Sequence, residues 1–318
     1  MTQAPALQDW IATVTEGMPH LSKPQALVLA WWSFGIMVAQ SCGLTSVAAA
    51  LAKLLDKKEN TVRQRLREFY QAGADKKGAD GKGQHRQDID VTLCFPALMR
   101  WVLRAWPATE RRLALAMDAT TLASLFTVLA ISIVYRGCAI PVAWFILPAT
   151  APGAWKTHWL DLFKRLSASL PADWTVIVLA DRGLYAKWLY RAIQQQGWHP
   201  FLRINVGGKY RLAPTSTYHL LSELVPNPGD VWCNSVECFK SNPLACTLLA
   251  RRDATHTDPW LIVTDLAPAQ ADVCWYALRA WIESGFKDTK RGGWQWQHTQ
   301  ITDPVRACSV VFGAAGLS

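Results

Sequence analysis

Residues 113–148, LALAMDATTLASLFTVLAISIVYRGCAIPVAWFILP, contain three apolar runs that are rich in β-forming side chains. The runs cover residues 113–121, 126–137 and 138–148, and only short turns separate them. Branched and aromatic side chains favour strands, and short connections favour antiparallel neighbours. The stretch therefore predicts an antiparallel meander of three strands, with Asp118 in or just past the first of them.

Residues 149–206 continue with alternating helix and strand patterns. A helix is predicted over about 154–168, and residues 174–181, WTVIVLAD, form a continuous apolar run typical of a strand buried on both faces. Asp181 closes that run. A second helix is predicted over 184–197, where Gly197 is the stop signal, and a fifth strand over 199–206.

Residues 207–271 have a different pattern, in which short strand-like segments alternate with turn formers. The segments cover residues 230–239, 245–252 and 259–266, and Pro, Asn and Gly separate them. Such punctuation is typical of strands joined by turns. We interpret the region as a β-rich insertion within a domain that covers residues 113–318.

The first 72 residues have the pattern of a separate helical unit. One helix is predicted from Ser22 to Gly43, and two shorter ones follow from about residue 45 and residue 60. The last two form a helix-turn-helix outline whose final helix presents Arg63 and Arg67 outward, as candidates for DNA contact. The alternative is the solvated face of an ordinary three-helix bundle.

Residues 73–112 are predicted to connect the two units. The segment is rich in glycine up to residue 88 and has no large apolar side chain there, which is typical of a flexible linker. A bridging helix is predicted over residues 90–105. The sequence therefore predicts a helical DNA-binding domain over 1–72, a linker with a bridging helix, and a second domain from residue 113.

The composition favours polyanionic partners and gives no sign of a membrane or zinc protein. There are 33 Lys and Arg residues against 24 Asp and Glu, a net charge of +9. The longest apolar stretch, residues 122–135, is shorter than the roughly 20 residues of a spanning helix, and no secretory signal is visible. The eight cysteines lack a C-x2-C pair, which favours buried, reduced thiols. We expect a cytoplasmic protein without a membrane partner.

Four residues near the C-terminus, Tyr276, Arg279, Glu283 and Lys290, lie at steps of three, four and seven residues. On a helix with about 3.6 residues per turn, these steps return to nearly the same face. The pattern predicts a carboxylate among groups that bind phosphate, because Arg offers a planar fork, Lys a point charge and Tyr a hydroxyl. Taken singly, Glu283 is an ordinary partner for Arg279 and Lys287 on a helix surface.

The string Tyr-x2-Arg-x3-Glu-x6-Lys, with one Asp upstream in each of two apolar strands, resembles the DDE transposases of bacterial insertion sequences, in the branch defined by that string. The Asp-Arg-Gly at residues 181–183 is similar to the second motif of that family. The resemblance implies a ribonuclease H-like mixed sheet, in which the strands of Asp118 and Asp181 are neighbours. It also implies a β-rich insertion between the second Asp and the Glu.

The resemblance implies the chemistry as well. It assigns catalysis and metal binding to Asp118, Asp181 and Glu283, which would hold two Mg²⁺ ions, or Mn²⁺ in their place. The resemblance implies that Tyr276, Arg279 and Lys290 hold the DNA end near this triad. The basic residues Arg291 and Arg182 extend the predicted DNA-binding surface. Four tryptophans are candidates for stacking on an unpaired base, namely Trp232, Trp281, Trp294 and Trp296.

The function implied is cleavage and strand transfer at the terminal inverted repeats of an insertion element. The partners would be double-stranded DNA and, because two ends must be joined, a second copy of the chain in a nucleoid-associated homodimer. Two alternatives stay open. The chain ends at Ser318 within the apolar run VRACSVVFGAAGLS, which favours a truncated, inactive DNA-binding remnant that represses transposition. The other is a ribonuclease H-like nuclease without strand transfer, which Tyr276, Arg279 and Lys290 disfavour.

Overall fold

A computed structural model of the chain describes residues 3–71, 89–122, 124–150, 155–255, 258–287, 296 and 301–315. Its helices are α1 Gln3–Gly17, α2 Lys23–Ala39, α3 Leu44–Leu55, α4 Glu59–Tyr70, α5 Phe95–Arg104, α6 Lys156–Ser167, α7 Lys187–Gln195, α8 Ala280–Lys287 and α9 Pro304–Ala315. Its strands are β1 Arg112–Leu122, β2 Phe126–Tyr135, β3 Cys138–Pro148, β4 Thr175–Ala180, β5 His199–Arg203, β6 Lys209–Arg211, β7 His219–Leu220, β8 Val231–Cys238, β9 Leu244–Arg251 and β10 Trp260–Thr264. Most predicted elements are therefore present, with shifted ends.

The N-terminal helices begin and end for local reasons. The backbone N–H of Ser22 donates to Gln25 Oε1 at 2.9 Å, which closes the first turn of α2. This helix ends at Ala39, because Gln40 adopts a left-handed φ of 50°. The prediction that α2 runs to Gly43 is wrong, since Gly43 instead precedes α3. No single helix in the described residues is long and apolar enough to cross a membrane, and α2 with α3 reaches that length only as a pair bent by 98°.

Gly35 allows α2 and α3 to pack closely. A Cβ atom at this position would lie 2.6 Å from Val47 Cγ1 and 2.9 Å from Leu51 Cδ1, inside normal contact distance. Gly35→Val is therefore expected to lower the free energy of unfolding by about 1–3 kcal/mol through overpacking. Chemical denaturation would measure the change. Gly207→Val is the matched control, because a Cβ there meets nothing within 4 Å; equal effects of the two substitutions would contradict the packing argument.

The strands form one sheet in the order β3-β2-β1-β4-β5-β10-β9-β8-β6-β7. The meander of β1, β2 and β3 is antiparallel, whereas β4 pairs in parallel with both β1 and β5. This mixed order confirms the predicted ribonuclease H-like fold class. The β-rich insertion is also confirmed, and its strands do not form a separate sheet: β10 pairs antiparallel with β5 and extends the same sheet.

Alternation along β1 directs its side chains to two different cores. Leu115 and Met117 point into the larger core, which the helices of the N-terminal half share. Ala114 and Ala116 point to the opposite face, where Tyr276 and Ile282 cover the sheet. Because Asp118 has the same parity as Ala114 and Ala116, its side chain belongs to this second face. The larger core also includes α9, which packs against α2, α4 and β3.

Candidate active site

Two parallel strands bring Asp118 and Asp181 together. Asp118 lies within β1 and opposite Ala130 of β2, and its Oδ1 accepts a hydrogen bond from the N–H of Ala119 at 2.8 Å. Asp181 follows the last residue of β4, Ala180, which is the register partner of Met117. The register therefore places the two aspartates side by side, directly after the last paired residues of the parallel strands β1 and β4.

Tyr276 and Arg279 lie on a 3₁₀ helix, Val273–Arg279, which leads directly into α8. The expectation of one continuous α-helix is wrong at this point. A 3₁₀ helix has three residues per turn, so Tyr276 and Arg279 still share one face, and Glu283 follows one turn into α8. Lys290 and Arg291 lie outside the described residues, so their predicted position next to Glu283 stays a prediction.

Arg279 stands between the three carboxylates. Its Nη2 donates to Asp118 Oδ2 at 2.8 Å and lies 3.9 Å from Asp181 Oδ2, and its Nη1 donates to Glu283 Oε1 at 2.5 Å. The side chain of Arg279 is only 13% exposed, whereas that of Glu283 is 62% exposed. The Arg279 guanidinium therefore bridges the three predicted catalytic carboxylates on their buried side, whereas the Glu283 side chain is exposed to solvent.

Asp181 has two further partners. The hydroxyl of Tyr276 donates to Asp181 Oδ1 at 3.3 Å, and Nη1 of Arg203 lies 3.9 Å from the same oxygen. Sequence reasoning did not assign Arg203 to the site. The signal that identifies it is the register of β4 and β5, which pairs Ala180 with Leu202 and so sets the next residues, Asp181 and Arg203, side by side.

Burial controls the ionisation of this cluster. Burial raises the pKa of Asp118 above its usual value, with help from the Asp181 and Glu283 charges, and against the opposite effect of Arg279. For Arg279, burial alone would lower the pKa, but the combined effect of Asp118, Tyr276, Glu283 and Asp181 outweighs burial and raises the pKa, so the guanidinium stays charged. Burial and Asp181 raise the pKa of Tyr276, so its hydroxyl stays protonated and acts as a donor.

The donor chemistry of the triad fits a divalent cation, although the present arrangement does not enclose one. Carboxylate oxygens on rigid elements are the ligands that Mg²⁺ prefers. In the described part of the chain, however, no group of three or more His, Cys, Asp or Glu residues is arranged to hold a metal ion.

The remaining predicted residues lie around or outside this centre. Arg182 is exposed, and its Nη1 donates to Asp258 Oδ2 at 2.7 Å. Arg63 and Arg67 are exposed on α4. Of the tryptophan candidates, Trp281 is 41% exposed, Trp296 is buried and Trp232 is partly buried, and Trp294 lies outside the described residues.

Comparisons with known proteins identify the family of the chain. No curated protein matches the sequence. Among solved structures, the piggyBac transposase synaptic complex with hairpin DNA is similar at 9% identity and a TM-score of 0.44, over 93% of this chain. The chain spans 66% of the length of that protein. The sequence model of the transposase DDE domain matches residues 149–315, just over half of the chain, including Asp181 and Glu283. The chain therefore belongs to the transposase DDE domain family.

Proposed function

We propose that this protein is a DDE transposase that cleaves DNA strands at the terminal inverted repeats of a mobile element and transfers them to target DNA. The observation that carries the proposal is that Asp118, Asp181 and Glu283 converge on the Arg279 guanidinium, next to the parallel strands β1 and β4 of a ribonuclease H-like sheet. Three carboxylates from a strand, a strand end and a helix suit metal-dependent phosphoryl transfer. Membership of the transposase DDE domain family supports the same reaction.

Asp118, Asp181 and Glu283 would hold two Mg²⁺ ions, for which Mn²⁺ can substitute. When bound, such ions neutralise charge on the phosphate that is cut and lower the pKa of water. The other residues position the DNA. Tyr276 is a protonated donor and Arg279 a planar fork, and each binds phosphate oxygens well. Lys290 and Arg291 would add positive charge beyond Glu283.

DNA is the partner that the charge distribution favours. The net charge is +9, and the exposed Arg63 and Arg67 on α4 suit contact with the phosphate backbone of the terminal repeats. Arg182 and the partly buried Arg203 flank Asp181, where the strand to be cut would lie. Because two element ends must be joined, we propose a homodimer on DNA. An enzyme of this kind acts at the nucleoid, in the cytoplasm.

The test is cleavage of a labelled duplex built from the repeat that flanks the gene. We expect Mg²⁺-dependent nicking that leaves a 3′-hydroxyl, followed by joining to a second duplex, and no cleavage with a chelator present. Binding without cleavage would instead favour the repressing remnant. Equal cleavage of repeat and random duplexes without joining would favour a nuclease.

A further inference from the structure

Both terminal nitrogens of the Arg279 guanidinium donate to protein carboxylates. Both terminal nitrogens are used, Nη1 by Glu283 and Nη2 by Asp118, with Asp181 at 3.9 Å from the latter. The remaining nitrogen, Nε, is buried, and no described residue accepts a hydrogen bond from it. In this arrangement a phosphate would compete with these carboxylates for the guanidinium.

The same contacts engage oxygens of the triad that would hold a metal ion. A divalent cation between Asp118 and Asp181 would lie against the guanidinium, and at such separations two positive charges repel by several kcal/mol even at an effective dielectric constant of about 20. Arg279 and a metal ion therefore compete for the same oxygens.

We propose that Arg279 is an internal counter-ion that keeps metal out of the triad until a DNA phosphate draws the guanidinium away, so that metal ions enter after DNA. This inference rests on the proposed function, because it takes the triad as the metal site and DNA as the source of the phosphate. In the exchange each charged group keeps a partner of opposite sign: the phosphate replaces the carboxylates beside Arg279, and the metal ions replace Arg279 beside the carboxylates.

The surroundings of Arg279 suit this exchange. Glu283 is mostly exposed and sits at the start of α8, so it can release the guanidinium without disturbing a core. Asp181 would keep two partners after the exchange, because the Tyr276 hydroxyl and Arg203 contact its Oδ1, whereas Arg279 approaches Oδ2. Asp118 would keep the hydrogen bond from the Ala119 N–H. Both aspartates would therefore stay in place for a cation.

The proposal is tested by measuring Mn²⁺ binding to the full chain without DNA. Electron paramagnetic resonance of the free ion gives the affinity. We expect Arg279→Gln to bind Mn²⁺ on the order of 10-fold more tightly than the unsubstituted chain, because a competing charge is gone. Arg165→Gln is the matched control. It removes an arginine that, like Arg279, pairs with a carboxylate four residues away, Asp161, but on α6, and it should change the affinity less than about 2-fold.

Thermal unfolding provides a second readout. Without metal, Arg279→Gln should lower the unfolding temperature, because it leaves buried carboxylate charge uncompensated, and Mn²⁺ should restore it. At saturating duplex, the gain in Mn²⁺ affinity caused by DNA should be smaller in Arg279→Gln than in the unsubstituted chain. Arg279→Lys, whose single ammonium cannot bridge two carboxylates, should give an intermediate affinity, and it serves if Arg279→Gln does not fold.

Asp118→Asn distinguishes a wrong metal site from a wrong role for Arg279. If it leaves Mn²⁺ binding unchanged, the triad is not the metal site and the proposed function loses its metal assignment. If it abolishes binding, but Arg279→Gln and Arg279→Lys bind Mn²⁺ no more tightly than the unsubstituted chain, only the counter-ion role of Arg279 is overturned.

Discussion

Asp181→Asn is expected to reduce DNA cleavage by at least about 10³-fold while leaving DNA binding nearly unchanged. The substitution preserves the shape of the side chain but removes the charge on which Tyr276, Arg203 and Arg279 converge. An amide oxygen is a poorer ligand for a divalent cation than a carboxylate. Loss of the Asp181 charge is therefore expected to slow the reaction without weakening binding of the duplex to the wider basic surface.

The measurement is the rate of strand cleavage, together with DNA binding by gel retardation of the same flanking-repeat duplex. Asp265→Asn is the matched control, since Asp265 also has a partly buried carboxylate. Asp265 pairs with Gln194 of α7 and with His199 at the start of β5, at the other end of that strand from Arg203. We expect the control to cleave within about 3-fold of the unsubstituted chain. Cleavage by Asp181→Asn at a similar rate would remove Asp181 from the catalytic set.

The core of the fold follows from the sequence because its strands are long and apolar. The runs at 113–121, 126–137 and 138–148 give three antiparallel strands, and the run that ends at Asp181 gives the buried β4. The partners of the short insertion strands could not be predicted in this way. Apolar periodicity identifies a strand but not its neighbour, so the pairing of β10 with β5 became visible only in the structure.

The spacing of Tyr276, Arg279 and Glu283 predicted that these side chains meet, and the structure brings them together with Asp118 and Asp181. A step of three residues fits a 3₁₀ turn as well as an α turn, so spacing alone could not distinguish the two. Arg203 was missed for another reason. Its contact with Asp181 depends on the register between β4 and β5, which no local sequence pattern determines.

Trp144→Ala is expected to lower the free energy of unfolding by about 3–5 kcal/mol. Trp144 is 1% exposed on β3, and its ring lies 4.8 Å from that of Phe95, the first residue of α5. The substitution leaves a large cavity between the sheet and the helix that precedes it. Trp281→Ala is the control for the loss of an indole, because that side chain is 41% exposed, and it should cost less than about 1 kcal/mol.

The shape of the Trp144→Ala unfolding curve carries a second expectation. Phe95 and Trp144 belong to the same hydrophobic core as Trp32 of α2 and Leu66 of α4, and α9 packs against both of those helices and β3. A shared core couples the stability of its parts. We therefore expect circular dichroism and tryptophan fluorescence to report one unfolding transition, which the substitution shifts as a whole. Two transitions, of which only one moves, would instead mean that the N-terminal helices unfold on their own, as a domain limited to residues 1–72 would.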